Sequence, residues 1–443
     1  NNGDSYVAYL FAHNDGDGVY GEDSDEDIIK CGSYTGNGST GKFINLGFEP
    51  QFLLIKSASS NHDWYLADVM RGMSNSDGST AHRYLYSQSL QAEENYASRW
   101  RTEPTGFHLT SAASGSNASG NTYIYMAIRR PHKPASEFAA TDLFSQSMGL
   151  NASAGGKAFA TTFPVDLHFA KNNISGTGDW YVRDRLRGGN NYLNFNDSRS
   201  ENSHAYNNEF DHMDGVYTET ALDNTSNVGY QFRRTPGFMD VVSYTGTGSP
   251  ISINHNLGVT PELVITKNRD VGYNWILWYT GLTNSEYIEL DTEGYKQNVS
   301  NIWGTNSTVA TSTTFNNGGI YDASGEKTIL YLFASATGIS KIGTYSGTGS
   351  DVDVDCGFSS GARFVLIKKV ALHPSGTSGD WYVYDSVRGI VAGNDPYLRL
   401  NSGATGVTNT DYIDPLSSGF TVTSSAPAAL NTSGGTYLFL AIA

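Results

Sequence analysis

The apolar run Tyr437-Leu438-Phe439-Leu440-Ala441-Ile442 decides the fold, because closely related runs recur along the chain. Two of them, at residues 123–128 and 329–334, keep the same apolar character, and a weaker version occupies residues 230–233. A strand that is apolar without alternation is covered on both faces, so each run is predicted to be a central strand. The chain is therefore expected to contain four copies of one module.

Further landmarks precede the closing run in a constant order. A turn with Tyr, Thr or Ser, and Gly opens three of the modules, at residues 34–36, 244–246 and 345–347. A strand with Trp at its start follows, and in three copies an Arg-Gly pair comes next. The recurring residues are Trp64, Trp180, Trp275, Trp381, Arg71, Arg187 and Arg388. A Trp that recurs once per module is expected to pack in a core, and the Arg-Gly pair is expected to form a turn.

Module boundaries follow from these landmarks. Residues 1–12 are expected to be the closing strand of a preceding module that this chain lacks, and residues 13–30 an acidic linker. The four repeats are placed at residues 31–131, 141–236, 238–336 and 341–443, and the second is the most diverged. The predicted fold class is all-β, with tandem β-sandwich modules of roughly 100 residues and very little helix.

Composition agrees with short strands joined by small-residue turns. The 443 residues include 49 Gly and 28 Tyr, and charged residues make up only 16%. The formal net charge of −16 repels phosphate backbones and anionic bilayers, so neither nucleic acid nor a membrane surface is an expected partner. The sequence also has no run of about 18 apolar residues that would predict a transmembrane helix.

Signatures of catalysis are missing from the sequence. It has no His-Glu-x-x-His, Gly-x-Ser-x-Gly or P-loop motif, and no recurring carboxylate pair of the kind a glycosidase needs. We therefore expect a protein that is not an enzyme and has no cofactor. The candidates for stacking on a sugar are Trp100, Trp278 and Trp303, which lie outside the recurring Trp position, although base rates favour a core role for each.

Two acidic stretches are candidates for a hard cation. Asp351, Asp353 and Asp355 alternate, so all three would project from one face of a strand, where Ca²⁺ could bridge them. An exposed column without an ion is the expected state, and Ca²⁺ is the alternative. The acidic run between residues 15 and 27 does not fit the EF-hand register and is expected to be a solvated linker.

Several of these stretches also carry a resemblance to a known family. They are Gly47-Phe48-Glu49-Pro50-Gln51-Phe52, the Trp strands with their Arg-Gly pairs, and residues 123–130, 238–246 and 356–443. In these the chain resembles a tandem module of tailed, particularly marine, bacteriophage tail and tail-fibre-like proteins. That module, a domain of unknown function, often follows a lectin-like sandwich of the SPRY or concanavalin type. The resemblance implies a virion component outside the particle and carries over no catalytic residue.

The expected function is therefore a virion structural protein, a tail-fibre or tail-attached component that contributes to host-surface recognition. The expected partners are other virion proteins, a host cell-surface glycan or protein, and further copies of the chain, with a trimer favoured because fibres are usually trimers. Loops rich in Tyr, Ser, Gly and Asn suit adaptable binding. The alternatives are a capsid-decorating or purely architectural protein, a host-polysaccharide depolymerase, and a cellular adhesin.

Overall fold

Nearly all the regular structure of the described residues consists of antiparallel strands, as seen in a computed structural model. Strands hold 42% of the residues and helices 4%, which confirms the predicted all-β fold class. The structure describes residues 5, 8–11, 13, 28–73, 82–96, 99–150, 156–172, 178–203, 210, 212–217, 225–371 and 379–443.

Two compact units divide the chain, and each is built from sandwich modules. Unit 1, Asn1–His132, contains repeat 1, and unit 2, Lys133–Ala443, contains repeats 2, 3 and 4. In every repeat a large antiparallel sheet is accompanied by a small sheet of two or three strands.

The strands and short helices of the four repeats have the following bounds. Repeat 1 consists of β1 (Ile29–Thr35), β2 (Lys42–Asn45), β3 (Pro50–Ser57), β4 (Tyr65–Asp68), β5 (His82–Tyr86), β6 (Glu94–Tyr96), β7 (Trp100–Glu103), β8 (Gly106–Leu109), α1 (Ser114–Asn117) and β9 (Thr122–Arg129). Repeat 2 consists of β10 (Phe144–Met148), β11 (Lys157–Ala160), β12 (Leu167–Asn172), β13 (Tyr181–Asp184), β14 (Asn191–Asn194), β15 (Asn202–Ser203), β16 (Gly215–Tyr217) and β17 (Asn227–Phe232). Repeat 3 consists of β18 (Met239–Thr245), β19 (Ile251–Asn254), β20 (Leu263–Asn268), β21 (Ile276–Tyr279), β22 (Glu286–Glu289), β23 (Gln297–Asn298), β24 (Thr314–Asn317) and β25 (Lys327–Phe333). Repeat 4 consists of β26 (Ser340–Ser346), β27 (Val352–Asp355), β28 (Phe364–Lys369), β29 (Trp381–Asp385), β30 (Tyr397–Arg399), β31 (Ile413–Leu416), β32 (Gly419–Val422), α2 (Ala428–Asn431) and β33 (Thr436–Ile442).

One strand order recurs in the large sheets. It reads β1-β9-β3-β4-β5-β6 in repeat 1, β10-β17-β12-β13-β14-β15 in repeat 2, β18-β25-β20-β21-β22-β23 in repeat 3 and β26-β33-β28-β29-β30 in repeat 4. The closing strand of each repeat therefore lies inside its sheet, hydrogen-bonded to a neighbour on both sides. This position confirms the prediction made from its uninterrupted apolar sequence.

In the described residues, helical structure is confined to short turns. Besides the four-residue helices α1 and α2, two 3₁₀ turns, Ala135–Glu137 and Ala140–Asp142, precede β10. Among the residues that the structure describes, no helix is long and apolar enough to cross a membrane.

The described residues of the expected closing strand at residues 1–12 do not form a strand. Residues 5 and 8–11 are described, and none of them is in a strand. A strand needs a hydrogen-bonded partner, and no described strand pairs with these residues. The other residues of that segment, and the acidic residues between 15 and 27, lie outside the described residues.

Repeats 2, 3 and 4 pack around one shared core, and repeats 2 and 4 each have a further apolar cluster of their own. Trp180, Trp275 and Trp381, at equivalent positions, are at most 1% exposed and belong to one cluster of apolar side chains. Around its centre, Phe169, Ile265 and Leu366 line an apolar cavity of about 20 Å³. These three residues also occupy equivalent strand positions, because each lies opposite the equivalent residue of its own closing strand. The three repeats therefore contact one another through the same face.

The recurring tryptophans connect these repeats in a cycle. The indole Nε1 of Trp180 in repeat 2 donates a hydrogen bond to the carbonyl oxygen of Arg399 in repeat 4, at 2.8 Å. Trp381 of repeat 4 donates to the carbonyl of Glu289 in repeat 3 at 3.0 Å. Trp275 of repeat 3 donates to the carbonyl of Asn194 in repeat 2 at 2.7 Å.

The three acceptors share one sequence position. Each follows the Tyr-Leu or Tyr-Ile pair of its repeat, so the same bond is made three times. Repeats 2, 3 and 4 are thereby joined in a closed ring. The sequence predicted the packing role of the Trp residues, but it did not predict that the packing crosses from one repeat to another.

The Arg-Gly turn also serves the contact between repeats. Arg187 donates from its backbone nitrogen and its Nε to the carboxylate of Asp184, at 2.8 and 2.5 Å, and Gly188 closes the turn with φ +85°. In repeat 3, the Tyr331 hydroxyl donates to Asp184 Oδ2 at 2.8 Å, and Arg187 Nη2 donates to that hydroxyl at 3.1 Å. Both charged side chains are 0% exposed.

A second copy of this triad joins repeat 4 to repeat 2. The Tyr230 hydroxyl of repeat 2 donates to Asp385 Oδ2 at 2.6 Å. Arg388 Nη2 lies 3.4 Å from the same hydroxyl oxygen. Burial raises the pKa of Tyr230 well above its usual range, so this hydroxyl remains a donor at every physiological pH.

At the third contact, from repeat 3 to repeat 4, the whole triad is replaced by less polar residues. Tyr279 stands where Asp184 and Asp385 stand, opposite the first residue of the preceding strand. Leu282 takes the Arg position, and Leu440 takes the Tyr position. An isolated buried carboxylate or hydroxyl would cost free energy, so at the contacts within unit 2 the triad is either complete or replaced as a set.

We expect Tyr331→Phe to lower the free energy of unfolding of unit 2 by about 1–2 kcal/mol, because Asp184 and Arg187 lose a buried partner. Urea unfolding followed by Trp fluorescence measures the change. The control is Tyr295→Phe, which alters a side chain that is 38% exposed and should change the value by less than about 0.5 kcal/mol. Equal effects of the two substitutions would contradict a structural role for the triad.

Three equivalent lysines are also buried at the contacts between repeats. Lys171 donates to the carbonyl of Ser402 in repeat 4, and Lys368 lies 3.4 Å from the carbonyl of Thr292 in repeat 3. Burial lowers the pKa of Lys171 and of Lys267 to about 8 and that of Lys368 to about 7. An ammonium group at these sites is therefore less favourable than in water.

The stability of unit 2 should rise with pH between about 7 and 10. In this window the unfolded lysines, with a pKa near 10.5, bind more protons than the folded ones, so raising the pH favours folding. Thermal unfolding from pH 6.5 to 9.5 measures the slope, and Lys368→Met should flatten it. Lys133→Met, at a side chain that is 51% exposed, should leave it unchanged. If both variants keep the slope of the unsubstituted chain, groups other than Lys368 cause the pH dependence.

Candidate ligand-binding site

A polar groove on the surface of repeat 3 is the best candidate for a ligand site among the described residues. Its volume is about 470 Å³. Its lining consists only of hydroxyl and amide side chains: Ser252, Asn306, Ser307, Thr308, Thr311, Thr314 and Asn316. None of these side chains is ionisable, which distinguishes the groove from the rest of a chain with net charge −16.

The small sheet of repeat 3 positions one wall of the groove. Strands β19 and β24 pair in register, with Ser252 opposite Asn316. Side chains alternate along a strand, so Thr314 and Asn316 face outward while Phe315 is 0% exposed. This alternation places polar groups in the groove and an aromatic ring beneath it.

Hydrogen bonds within the loop hold the opposite wall. Asn316 Nδ2 donates to the Thr308 carbonyl at 2.9 Å, and the hydroxyls of Thr311 and Thr314 lie 2.8 Å apart. The backbone nitrogen of Thr314 also donates to Thr311 Oγ1 at 2.9 Å. Among the described residues, the side chains of Asn306 and Ser307 have no hydrogen-bond partner, so they are available to a ligand.

Trp278 and Trp303, predicted as candidates for sugar stacking, lie under this groove rather than in it. They are 6% and 0% exposed, and their ring centroids lie 6.1 and 5.5 Å from that of Phe315. The Trp303 indole donates to the Glu286 carbonyl at 2.7 Å, and the Trp278 indole donates to the Leu282 carbonyl. Both rings are buried in the core and leave no face open to a ligand, so the stacking role predicted for them is wrong for the folded chain.

Trp100 is corrected in the same way. It is 0% exposed in repeat 1, and its ring lies 6.0 Å from Tyr65 and 5.9 Å from Tyr84. A fully buried ring cannot stack on a ligand. The core role that base rates favoured holds for all three tryptophans.

The predicted cation column does not bring its carboxylates together as a ligand set. Asp351, Asp353 and Asp355 are all exposed along β27 and its approach. Each accepts a hydrogen bond from its own neighbour, at 2.7 Å from Ser424 N, 2.6 Å from Thr421 Oγ1 and 2.8 Å from Gly357 N. Ca²⁺ at this column stays a prediction.

A different acidic group has converging oxygens. Carboxylate oxygens of Asp395, Asp411 and Asp414 lie within 4.8 Å of one another in repeat 4. Burial raises the pKa of Asp395 to about 6, although backbone N–H groups of Ile413, Val391 and Tyr412 oppose the shift. Carboxylate oxygens are the donors that a hard cation takes. This convergence was not predicted, because Asp395 is distant in sequence from Asp411 and from Asp414, which lies in β31.

Five of the seven recurring landmarks bond to a neighbouring repeat: Trp180, Trp275, Trp381, Arg187 and Arg388. In repeat 1, Arg71 pairs with Asp68 of its own repeat and Trp64 is partly exposed. Those in unit 2 are buried in its shared core, as described above. The groove itself was missed because Ser, Thr and Asn runs are typical of turns throughout this sequence. Only the three-dimensional pairing of β19 with β24 brings Ser252 to the loop at residues 306–311.

Comparison with known families gives a relationship without an activity. The chain belongs to the family of a domain of unknown function, DUF7483, whose model matches residues 1–131 and 223–443. The unmatched stretch contains most of repeat 2, the repeat that the sequence marked as most diverged. No curated protein matches the chain.

Proposed function

We propose that this member of the DUF7483 family is a bacteriophage virion protein, a tail-fibre or tail-attached component that contributes to host-surface recognition. The observation that carries the proposal is the groove of repeat 3, whose uncharged hydroxyl and amide groups suit the hydroxyls of a neutral glycan. The resemblance of the sequence to tail and tail-fibre-like modules supports the same class. In this proposal the chain lies on the exterior of the particle, with other virion proteins as neighbours.

The chemistry of the groove sets the kind of binding. It offers hydrogen bonds and no aromatic platform, so affinity for a single sugar is expected to be weak. The strong negative charge of the chain disfavours acidic polysaccharides. Adhesion would then depend on several grooves acting together, as multivalent binding does.

A purely architectural virion role is the second candidate. The observation that favours it is the closed ring of repeats 2, 3 and 4, which buries its recurring polar groups completely and is suited to a rigid spacer. In that case the groove would bind no glycan, and recognition would be carried by another virion protein.

Binding to an array of neutral and acidic bacterial surface glycans tests the proposal. We expect the chain to bind neutral glycans, and Asn306→Ala with Ser307→Ala to weaken this binding about tenfold by removing two groups worth about 1 kcal/mol or less each. The control is Ser359→Ala with Ser360→Ala, two exposed serines of repeat 4, which should leave binding unchanged.

Three results would count against the proposal. Binding that survives the groove substitutions would place the site elsewhere, and the absence of any binding would favour the architectural role. Release of reducing sugar ends during the incubation would show a depolymerase instead.

A further inference from the structure

Repeat 1 presents, largely uncovered, the same face through which repeats 2, 3 and 4 contact one another. The clearest case is Ile124, which pairs with Lys56 in the strand register and is 40% exposed. Its equivalents in the ring, each opposite the matching lysine, are Val228, Ile329 and Leu438, which are 0%, 0% and 2% exposed. One position thus changes from exposed to buried between the two units.

Other apolar side chains on this face of repeat 1 follow the same trend. They are only partly buried, whereas their equivalents in unit 2 are buried: Phe52, Leu54, Trp64, Leu66, Met126 and Ile128. Leu54 matches Phe169, Ile265 and Leu366, the three residues that meet around the central cavity of the ring. The opposite face of the sheet packs against the small sheet of its own repeat. Among the described residues, this face is the one left partly exposed.

Trp64 shows what kind of partner is missing. The other three recurring tryptophans donate their indole N–H to the next repeat, but the Trp64 indole has no acceptor among the described residues. The acceptor in the ring is always the residue after the Tyr-Leu or Tyr-Ile pair, and repeat 1 has Tyr86 at that position. Repeat 1 therefore carries both halves of the contact, a free donor and a matching carbonyl.

The charged groups of this face are compatible with a copy of itself. Arg71 donates to Asp68 at 2.9 Å and lies 3.9 Å from Glu93, so its charge is balanced within repeat 1. Met126 takes the tyrosine position, as Leu440 does in unit 2, while Asp68 and Arg71 are retained and paired with each other. No buried hydroxyl is thus left without its partners when the face is covered.

The connections to repeat 1 point to partners from other chains. In the ring, repeats follow each other through the short turns 233–238 and 334–339, each fastened by a bridge, Thr235 to Met239 and Ala336 to Ser340. Repeat 1 is joined to repeat 2 by the longer stretch 130–143, and unit 2 already holds the three repeats that close its ring.

We propose that the chain forms a homotrimer in which three copies of repeat 1 pack as repeats 2, 3 and 4 do within one chain. Trp64 Nε1 of each copy donates to the Tyr86 carbonyl of the next copy, and the three Leu54 side chains meet at the centre. The ring in unit 2 is then the single-chain counterpart of a symmetric ring made by three chains. This inference rests on the contacts between repeats and is independent of the glycan-binding proposal.

Sedimentation equilibrium of the full chain at 150 mM salt tests it. We expect a species of three times the 47.9 kDa chain mass, and Ile124→Glu should convert it to the monomer by placing three carboxylates in the interface. Val259→Glu is the matched control, because Val259 is 41% exposed in repeat 3 and should leave the trimer intact. Circular dichroism confirms that each variant is folded.

A milder variant guards against a folding defect. Trp64→Phe keeps most of the apolar area and removes only the indole donor, so it should weaken the trimer at least about tenfold without changing the monomer fold. A monomeric or dimeric wild-type chain would overturn the proposal. So would an Ile124→Glu chain that remains trimeric.

Discussion

A hydrogen bond from a buried indole N–H to a backbone carbonyl of a neighbouring repeat is the contact on which the organisation of unit 2 depends. It is made three times in a closed cycle by Trp180, Trp275 and Trp381. The indole group fixes both the distance and the orientation of the two repeats, because its large apolar surface must be buried while its N–H reaches an acceptor. Apolar burial supplies most of the stabilisation, and these bonds select the arrangement.

The polar groups at the contacts show how strictly such an interface is matched. Asp184, Arg187 and Tyr331 form a complete set, and the third contact lacks all of its counterparts together. A buried charge needs its partner, so within unit 2 the three residues are retained or replaced together. The diverged sequences of the repeats therefore retain complementary pairs of faces rather than identical ones.

Much of the fold could be predicted from the sequence, because its signals are local. The uninterrupted apolar runs showed the central closing strands, and the constant position of Trp showed a packing residue. Which repeat accepts the indole N–H could not be predicted, since the acceptor is a backbone carbonyl that any residue type provides. The groove was missed for a related reason, as its Ser, Thr and Asn side chains meet only through the pairing of β19 with β24.

The exchange rates of the indole protons with solvent test the central claim most directly. In ¹⁵N-Trp-labelled protein, with the signals assigned by single Trp→Phe substitutions, the account predicts that the N–H groups of Trp180, Trp275 and Trp381 exchange slowly and with one common free energy of opening, that of global unfolding of unit 2. Three clearly different opening free energies would show that repeats 2, 3 and 4 unfold independently, and would contradict the closed ring as one cooperative unit.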